Sequence, residues 1–139
     1  MPIFAHSIII SSFGYKHGVP NDADILFDCR ELPNPFWEPS LRNLTGKDEA
    51  VVAFLDEKKD IQEAVKRMES YLDQYLALWK HNGMRRDVHV YLGCTGGQHR
   101  SVYLAERIYQ RYANTYPCSL NHRELFRYQE EPYGPTQED

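Results

Sequence analysis

The stretch Gly93-Cys94-Thr95-Gly96-Gly97-Gln98-His99-Arg100-Ser101 concentrates the residue types that could do chemistry. Successive glycines let backbone N–H groups approach a ligand closely, and a helix opening after them adds partial positive charge. Together they describe an anion site best suited to phosphate. Arg100 would supply a two-pronged guanidinium, and Thr95 and Ser101 would supply hydroxyls. His99 could donate when protonated, or act as acid or base near neutral pH. No Gly-Lys-Ser/Thr follows the glycines, so this is not a Walker P-loop. On this reading Arg100→Ala is expected to abolish phosphate binding with little loss of fold.

The same residues spell Cys-x5-Arg-Ser, the spacing of the phosphate loop in cysteine-dependent phosphatases. There a low-pKa thiolate attacks phosphorus while amides and the Arg hold the oxygens. Cys94 and Arg100 would then be catalytic, with Asp87 or an acid from another loop as proton donor. Gly93 stands where those enzymes usually carry His. Outside this alternative no catalytic residue is assigned, and binding without turnover is the preferred reading.

A second group is Asp22, Asp24, Asp28 and Arg30, where a strand should end. Ligands of open α/β sheets bind outside the carboxyl ends of the strands. Asp28 and Arg30 could therefore line one pocket with the glycine loop, or pair with each other. Asp22 and Asp24 read as solvated loop charges. His122 and Arg123 could complete a basic wall, or cap a surface helix. Arg107 and Arg111, four apart, could join Arg85 and Arg86 in a patch suited to RNA backbone. Trp37, Phe36 and Tyr15 read as packing plugs, with base stacking as the alternative. His6, His81 and His89 lack metal-ligand spacing. No metal or cofactor is expected.

Strands and helices must position these groups. Apolar runs predict strands at 6–13, 23–29, 88–94 and 116–121. Gly14 to Asn21 should be a loop or short helical turn. Three prolines between Leu32 and Pro39 exclude regular structure there. Asp48 should cap one helix. Asp60 and Glu63, in capping-box spacing, should open a longer one. Its stripe is Ile61, Val65, Met68, Leu72, Tyr75, Leu76 and Trp79, and it should stop at Asn82-Gly83. A further helix is expected over 98–112, and a short helix or strand extension over 122–128. Alternating strands and helices predict a single α/β domain, three-layer-like, with a mostly parallel sheet.

Composition bounds the rest. The 139 residues are 42% hydrophobic and 26% charged, which excludes global disorder. A chain this long buries roughly two-thirds of its unfolded surface without disulfides or metal. The net charge of −4 is unevenly spread. Residues 85–128 hold 7 basic residues, all Arg, against 3 acids, whereas 129–139 hold 4 acids and no base. We therefore divide the chain into a domain at 1–128 and an acidic flexible tail at 129–139. Three widely spaced cysteines suggest reduced thiols in the cytoplasm, and neither a membrane span nor a secretory signal is visible.

Several stretches together resemble the C-terminal domain of the RapZ family of ribonuclease adapter proteins. They are Ser12-Phe13-Gly14-Tyr15-Lys16-His17-Gly18, Asp22-Ala23-Asp24, Phe27-Asp28-x-Arg30, Leu32-Pro33-Asn34-Pro35, Leu44-Thr45-Gly46 and the glycine loop through Val102. Order and spacing hold from about residue 7 to 127. The resemblance implies a fold similar to part of phosphofructokinase, assembled as homodimers or homotetramers. It implies a phosphosugar ligand like glucosamine 6-phosphate, and small regulatory RNA presented to a ribonuclease. Phosphate contacts would fall on Thr95, Gly96, Gly97, His99 and Arg100, with Asp28 and Arg30 in the same pocket. Lys16 and His17 would sit at its edge or on an RNA face. Family members carry a P-loop domain ahead of this one. This sequence has no Walker motif and reads as a free-standing second domain. RNA-binding members end in a basic tail, whereas this chain ends in acids, which ranks phosphosugar or nucleotide-like phosphate binding above RNA binding.

Overall fold

The structure, a computed structural model, describes residues 6–129. Of the tail placed at 129–139, Gln129 closes a short helix, and residues 130–139 lie outside the described residues. Four strands form one sheet: β1 (Ile8–Gly14), β2 (Ile25–Asp28), β3 (Val88–Cys94) and β4 (Cys118–His122). Their order is β2-β3-β1-β4, and all three pairings are parallel. The sheet is thus the expected one, wholly rather than mostly parallel.

The helices are α1 (Glu49–Asp56), α2 (Lys59–His81), α3 (Arg100–Tyr112) and the short α4 (Phe126–Gln129). The β1–β2 connection holds only a 3-10 turn at Tyr15–His17. A period-2 pattern sends Ile8, Ile10, Val88, Val90 and Leu92 to one face of the sheet. There they meet Val51 and Leu55 of α1, the α2 stripe, and Leu104, Ala105 and Ile108 of α3 in one core. α2 and α3 lie side by side, since Arg111 and Tyr112 of α3 both bond Asp73 of α2. The layering differs in detail from the expectation, because these helices share one face. The other face is covered at its carboxyl end by Tyr15, which packs on Phe13 at 4.8 Å, and by Arg123 over the Phe13 ring.

Two helix starts differ from expectation. Asp48 occupies the N-cap of α1, but its carboxylate accepts from the preceding Thr45 N–H at 2.7 Å rather than from the helix. α2 begins at Lys59, after Lys58, so Asp60 lies within its first turn and forms no capping box. The stop at Asn82-Gly83 holds, with Gly83 at φ 90°. All three cysteines are free thiols. Among the described residues no helix is long and apolar enough to cross a membrane.

Candidate functional site

After β1 the chain leaves toward one edge of the sheet, and after β3 toward the other. A crevice therefore opens between the carboxyl ends of these two central strands, the place where open α/β sheets bind ligands. The glycine loop lies there, running from Cys94, the last residue of β3, to His99, the N-cap of α3. Gly97 has φ +74°, a left-handed conformation that only glycine adopts cheaply. Gly14 ends β1 directly against this loop. A Cβ on Gly14 would stand 2.5 Å from the Gly96 carbonyl carbon, so the two backbones touch. The same crowding explains Gly93: any side chain there would enter the Phe13 and Tyr15 rings, which leaves no room for the phosphatase His.

The loop side chains mostly face inward. Thr95 is half-buried, and Gly96 through Ser101 are buried. Gln98 Nε2 donates to the carbonyls of Arg42 and Leu44, both at 2.8 Å. His99 Nε2 lies 3.0 Å from the Leu41 carbonyl. Arg100, 2% exposed, sends Nη1 to the carbonyls of Arg30 and Leu32 at 2.8 and 3.0 Å. Three successive residues thereby hold the long proline-rich loop. This corrects the expectation for Arg100→Ala, since losing these bonds also weakens the fold. Cys94 is fully buried; its sulfur lies 3.0 Å from Ser101 Oγ and accepts from the Ser101 N–H at 3.4 Å.

Asp28 and Arg30 pair with each other, Nε to Oδ1 at 3.0 Å and Nη2 to Oδ2 at 2.7 Å. The Arg30 guanidinium also lies 3.7 Å over the Tyr15 ring. Hydrogen bonding from Arg30 holds the Asp28 carboxyl below its ordinary value. This group stands at the end of β2, and Cys29 N–H donates to the Gly93 carbonyl beside it. Lys16 joins the site through its backbone, donating to the Thr95 carbonyl at 3.0 Å. His17 sits in the same turn, and burial, with Arg127 nearby, lowers its pKa.

Arg123 reaches this rim, donating to the Gly18 carbonyl and approaching those of Gly14 and His17. His122 points the other way, under the sheet. Its Nδ1 lies 2.7 Å from Ser12 Oγ and its Nε2 lies 2.7 Å from Glu106 Oε2 on α3. It is therefore not part of the basic wall. Asp87 precedes β3 at the opposite end of the sheet and accepts from Ser7 N–H, so it cannot serve as a proton donor at Cys94. Asp22 and Asp24 are exposed, as expected of loop charges, and they also hold specific partners. They accept from Tyr91 OH at 2.8 Å and from Arg86 and the His89 N–H at 2.7 and 2.8 Å. Trp37 is 64% exposed and plugs nothing.

Sequence reasoning missed Glu124. Its carboxylate, 1% exposed, accepts from Gly14 N–H, Arg123 and Arg127. Burial works against ionisation, but these three donors prevail and the pKa falls below the ordinary value. A Cβ on Gly97 would stand 2.6 Å from Glu124 Cγ, so this carboxylate backs the loop. Tyr128 OH donates to the Gly96 carbonyl at 2.6 Å and completes the fastening.

These features define a class: parallel α/β domains with a glycine loop joining a central strand to a helix N-terminus at the switch point of the sheet. The family model described as the RapZ C-terminal domain matches residues 6–126, and the chain belongs to that family. A nucleotide-binding protein of Shewanella amazonensis is 47% identical over 119 residues, 85% of this chain and 42% of its own length. One from Thioalkalivibrio sulfidiphilus is 48% identical over 123 residues, 87% and 43% of the two chains. One from Cellvibrio japonicus is 44% identical over 124 residues, 88% and 41%. The chain thus spans about two-fifths of the length of the curated relatives it matches.

Proposed function

We propose that this domain is a RapZ-type regulatory module that binds a phosphorylated small molecule, a phosphosugar like glucosamine 6-phosphate, at the glycine loop. The observation that carries this reading is the Gly96-Gly97 turn, which opens on the N-terminus of α3 and is pressed into place by Gly14 and Glu124. Backbone N–H groups at a helix start favour an anion, and Thr95 adds a half-buried hydroxyl. Lys16 and Arg123 sit at the rim. The relatives carry the name nucleotide-binding protein, which makes a nucleotide phosphate the natural competitor in the same assay. Calorimetry with glucosamine 6-phosphate, glucosamine and a nucleotide monophosphate tests the reading. Glucosamine 6-phosphate should bind at least about a hundredfold more tightly than glucosamine, a gap of about 2.7 kcal/mol. Equal affinity for the sugar without phosphate would remove the loop from the site.

The Cys94–Ser101 contact favours one second reading, a cysteine phosphatase, because a hydroxyl and an amide at the sulfur would stabilise a thiolate. It ranks lower because the sulfur is fully buried. Turnover of an aryl phosphate that disappears in Cys94→Ser would establish it, and no turnover in the parent chain would exclude it. RNA binding draws no comparable support. Arg86, Arg107 and Arg111 are engaged by Asp24, Asp56 and Asp73, which leaves less charge for a phosphate backbone.

A further inference from the structure

A cleft of about 360 Å³ lies on the outer side of α3, away from the crevice between β1 and β3. Its walls carry Lys47 and Arg107 against Asp56 and Glu106, with the Tyr103 hydroxyl between them. Arg107 and Asp56 are partly occupied, since Tyr103 OH donates to Asp56 at 2.5 Å and accepts from Arg107 at 2.8 Å. Two groups keep capacity for a guest. The Lys47 ammonium is exposed and enters no ion pair among the described residues. Glu106 commits Oε2 to His122, which leaves Oε1 for another donor.

The lining charges cancel, two cations against two anions. A lone anion or cation entering the cleft would meet a like charge as well as an opposite one. A small molecule bearing both signs would satisfy both sides. We propose that this cleft is a second ligand site for a zwitterionic small molecule of the free α-amino acid class, with its carboxylate at Lys47 and Arg107 and its ammonium at Glu106.

The cleft is wired to the glycine loop by two routes. Gly46 lines it, and the Gly46 N–H donates to the Gln98 carbonyl at 2.9 Å. A Cβ on Gly46 would stand 2.5 Å from Tyr103 N, so this backbone lies directly on the first turn of α3. The second route runs from Glu106 through His122 to Ser12, two residues before the Gly14 that braces the loop. A guest at Glu106 and Lys47 therefore biases the loop, and by linkage a ligand in the loop biases the cleft equally.

The experiment is amide NMR titration of the full chain with glycine, alanine, glutamine and glutamate, with succinate and putrescine as single-sign probes. Saturable shifts are expected at Gly46, Lys47, Glu106 and Gln110 with at least one amino acid. Lys47→Ala and Glu106→Gln should each weaken that binding about tenfold, or 1.4 kcal/mol. Lys47→Ala alters an exposed side chain, so it keeps the test valid should Glu106→Gln disturb the fold. Succinate and putrescine should bind at least about tenfold more weakly. The absence of saturable shifts, or equal binding of either single-sign probe, overturns the site. These arms involve no phosphate and stand or fall apart from the proposed function. Only the coupling rests on that reading. A bound amino acid should change glucosamine 6-phosphate affinity at least about threefold, and an unchanged affinity overturns the coupling.

Discussion

Arg100 joins sequence and fold most tightly. Its place after the glycines suits a phosphate fork, yet its Nη1 holds two carbonyls of the neighbouring loop and the side chain is almost sealed from water. Removing it takes the donor from two part-buried carbonyls, those of Arg30 and Leu32. Arg100→Ala should therefore cost about 3 kcal/mol of stability in urea unfolding, apart from any effect on ligand. An unchanged urea midpoint would show that the anchoring bonds contribute nothing. Gly14→Ala poses a different question, because its Cβ would meet backbone atoms of Gly96 that cannot rotate away. Gly14→Ala should lose about 2–4 kcal/mol and also weaken phosphosugar binding, since the loop itself must shift. Calorimetry on the folded fraction separates the two effects. The glycine loop was legible because its residues are contiguous and their types are diagnostic. Glu124 was not, because its partner Gly14 is 110 residues away. A signal existed all the same. Asp87, Glu106 and Glu124 are the only acids between Arg85 and Tyr128, and each is spent on a specific partner: the Ser7 N–H, His122, and Arg123 with Arg127.

At the scale of elements, the four strands and the helices α1 to α3 follow the sequence pattern to within two residues. The 3-10 turn at Pro35–Trp37 instead falls where the prolines predict no regular structure, and Pro35 opens it because a first helical position needs no N–H donor. Periodicity sees the buried stripe of α2 directly, since packing creates it. It does not see caps, which depend on one residue's partner: Asp48 turned back to Thr45 instead of toward its helix. Nor does it see the His122 link, which joins β1, β4 and α3 through side chains distant in sequence. That link sets a pH dependence. Burial lowers the His122 pKa below 6.5, against the opposing pull of Glu106. The unfolded chain thus holds more protons than the fold as pH drops through that range, and stability must rise with pH there. The contribution of neutral His122 is complete above pH 6.5 and is lost as pH falls through the lower folded value. Urea unfolding across about pH 7 to pH 5 should show this decline, with a shallower slope in His122→Gln. His17, also lowered, contributes in the same direction and is common to both proteins, so the difference reports His122 alone. Equal slopes would mean that His122 titrates alike in the folded and unfolded chain.

At the scale of the whole molecule, the glycine loop is a hub. Gln98, His99 and Arg100 grip five carbonyls between Arg30 and Leu44, and Tyr128 and Glu124 grip it from the C-terminal side. Two segments that lack long regular structure of their own therefore take their positions from it. A ligand that orders the loop must order both, because their opening breaks bonds to the same backbone. Hydrogen exchange with bound glucosamine 6-phosphate should show added protection in peptides covering 30–46 and 122–129. The C-terminal half of α2, whose contacts lie elsewhere, should be unchanged. The magnitude follows from linkage: at a hundredfold excess over Kd, opening that expels the ligand becomes harder by about 2.7 kcal/mol, which slows exchange about a hundredfold. Protection confined to 94–100 would mean that the bonds at Gln98, His99 and Arg100 transmit nothing, and uniform protection would mean that the domain opens only as a unit.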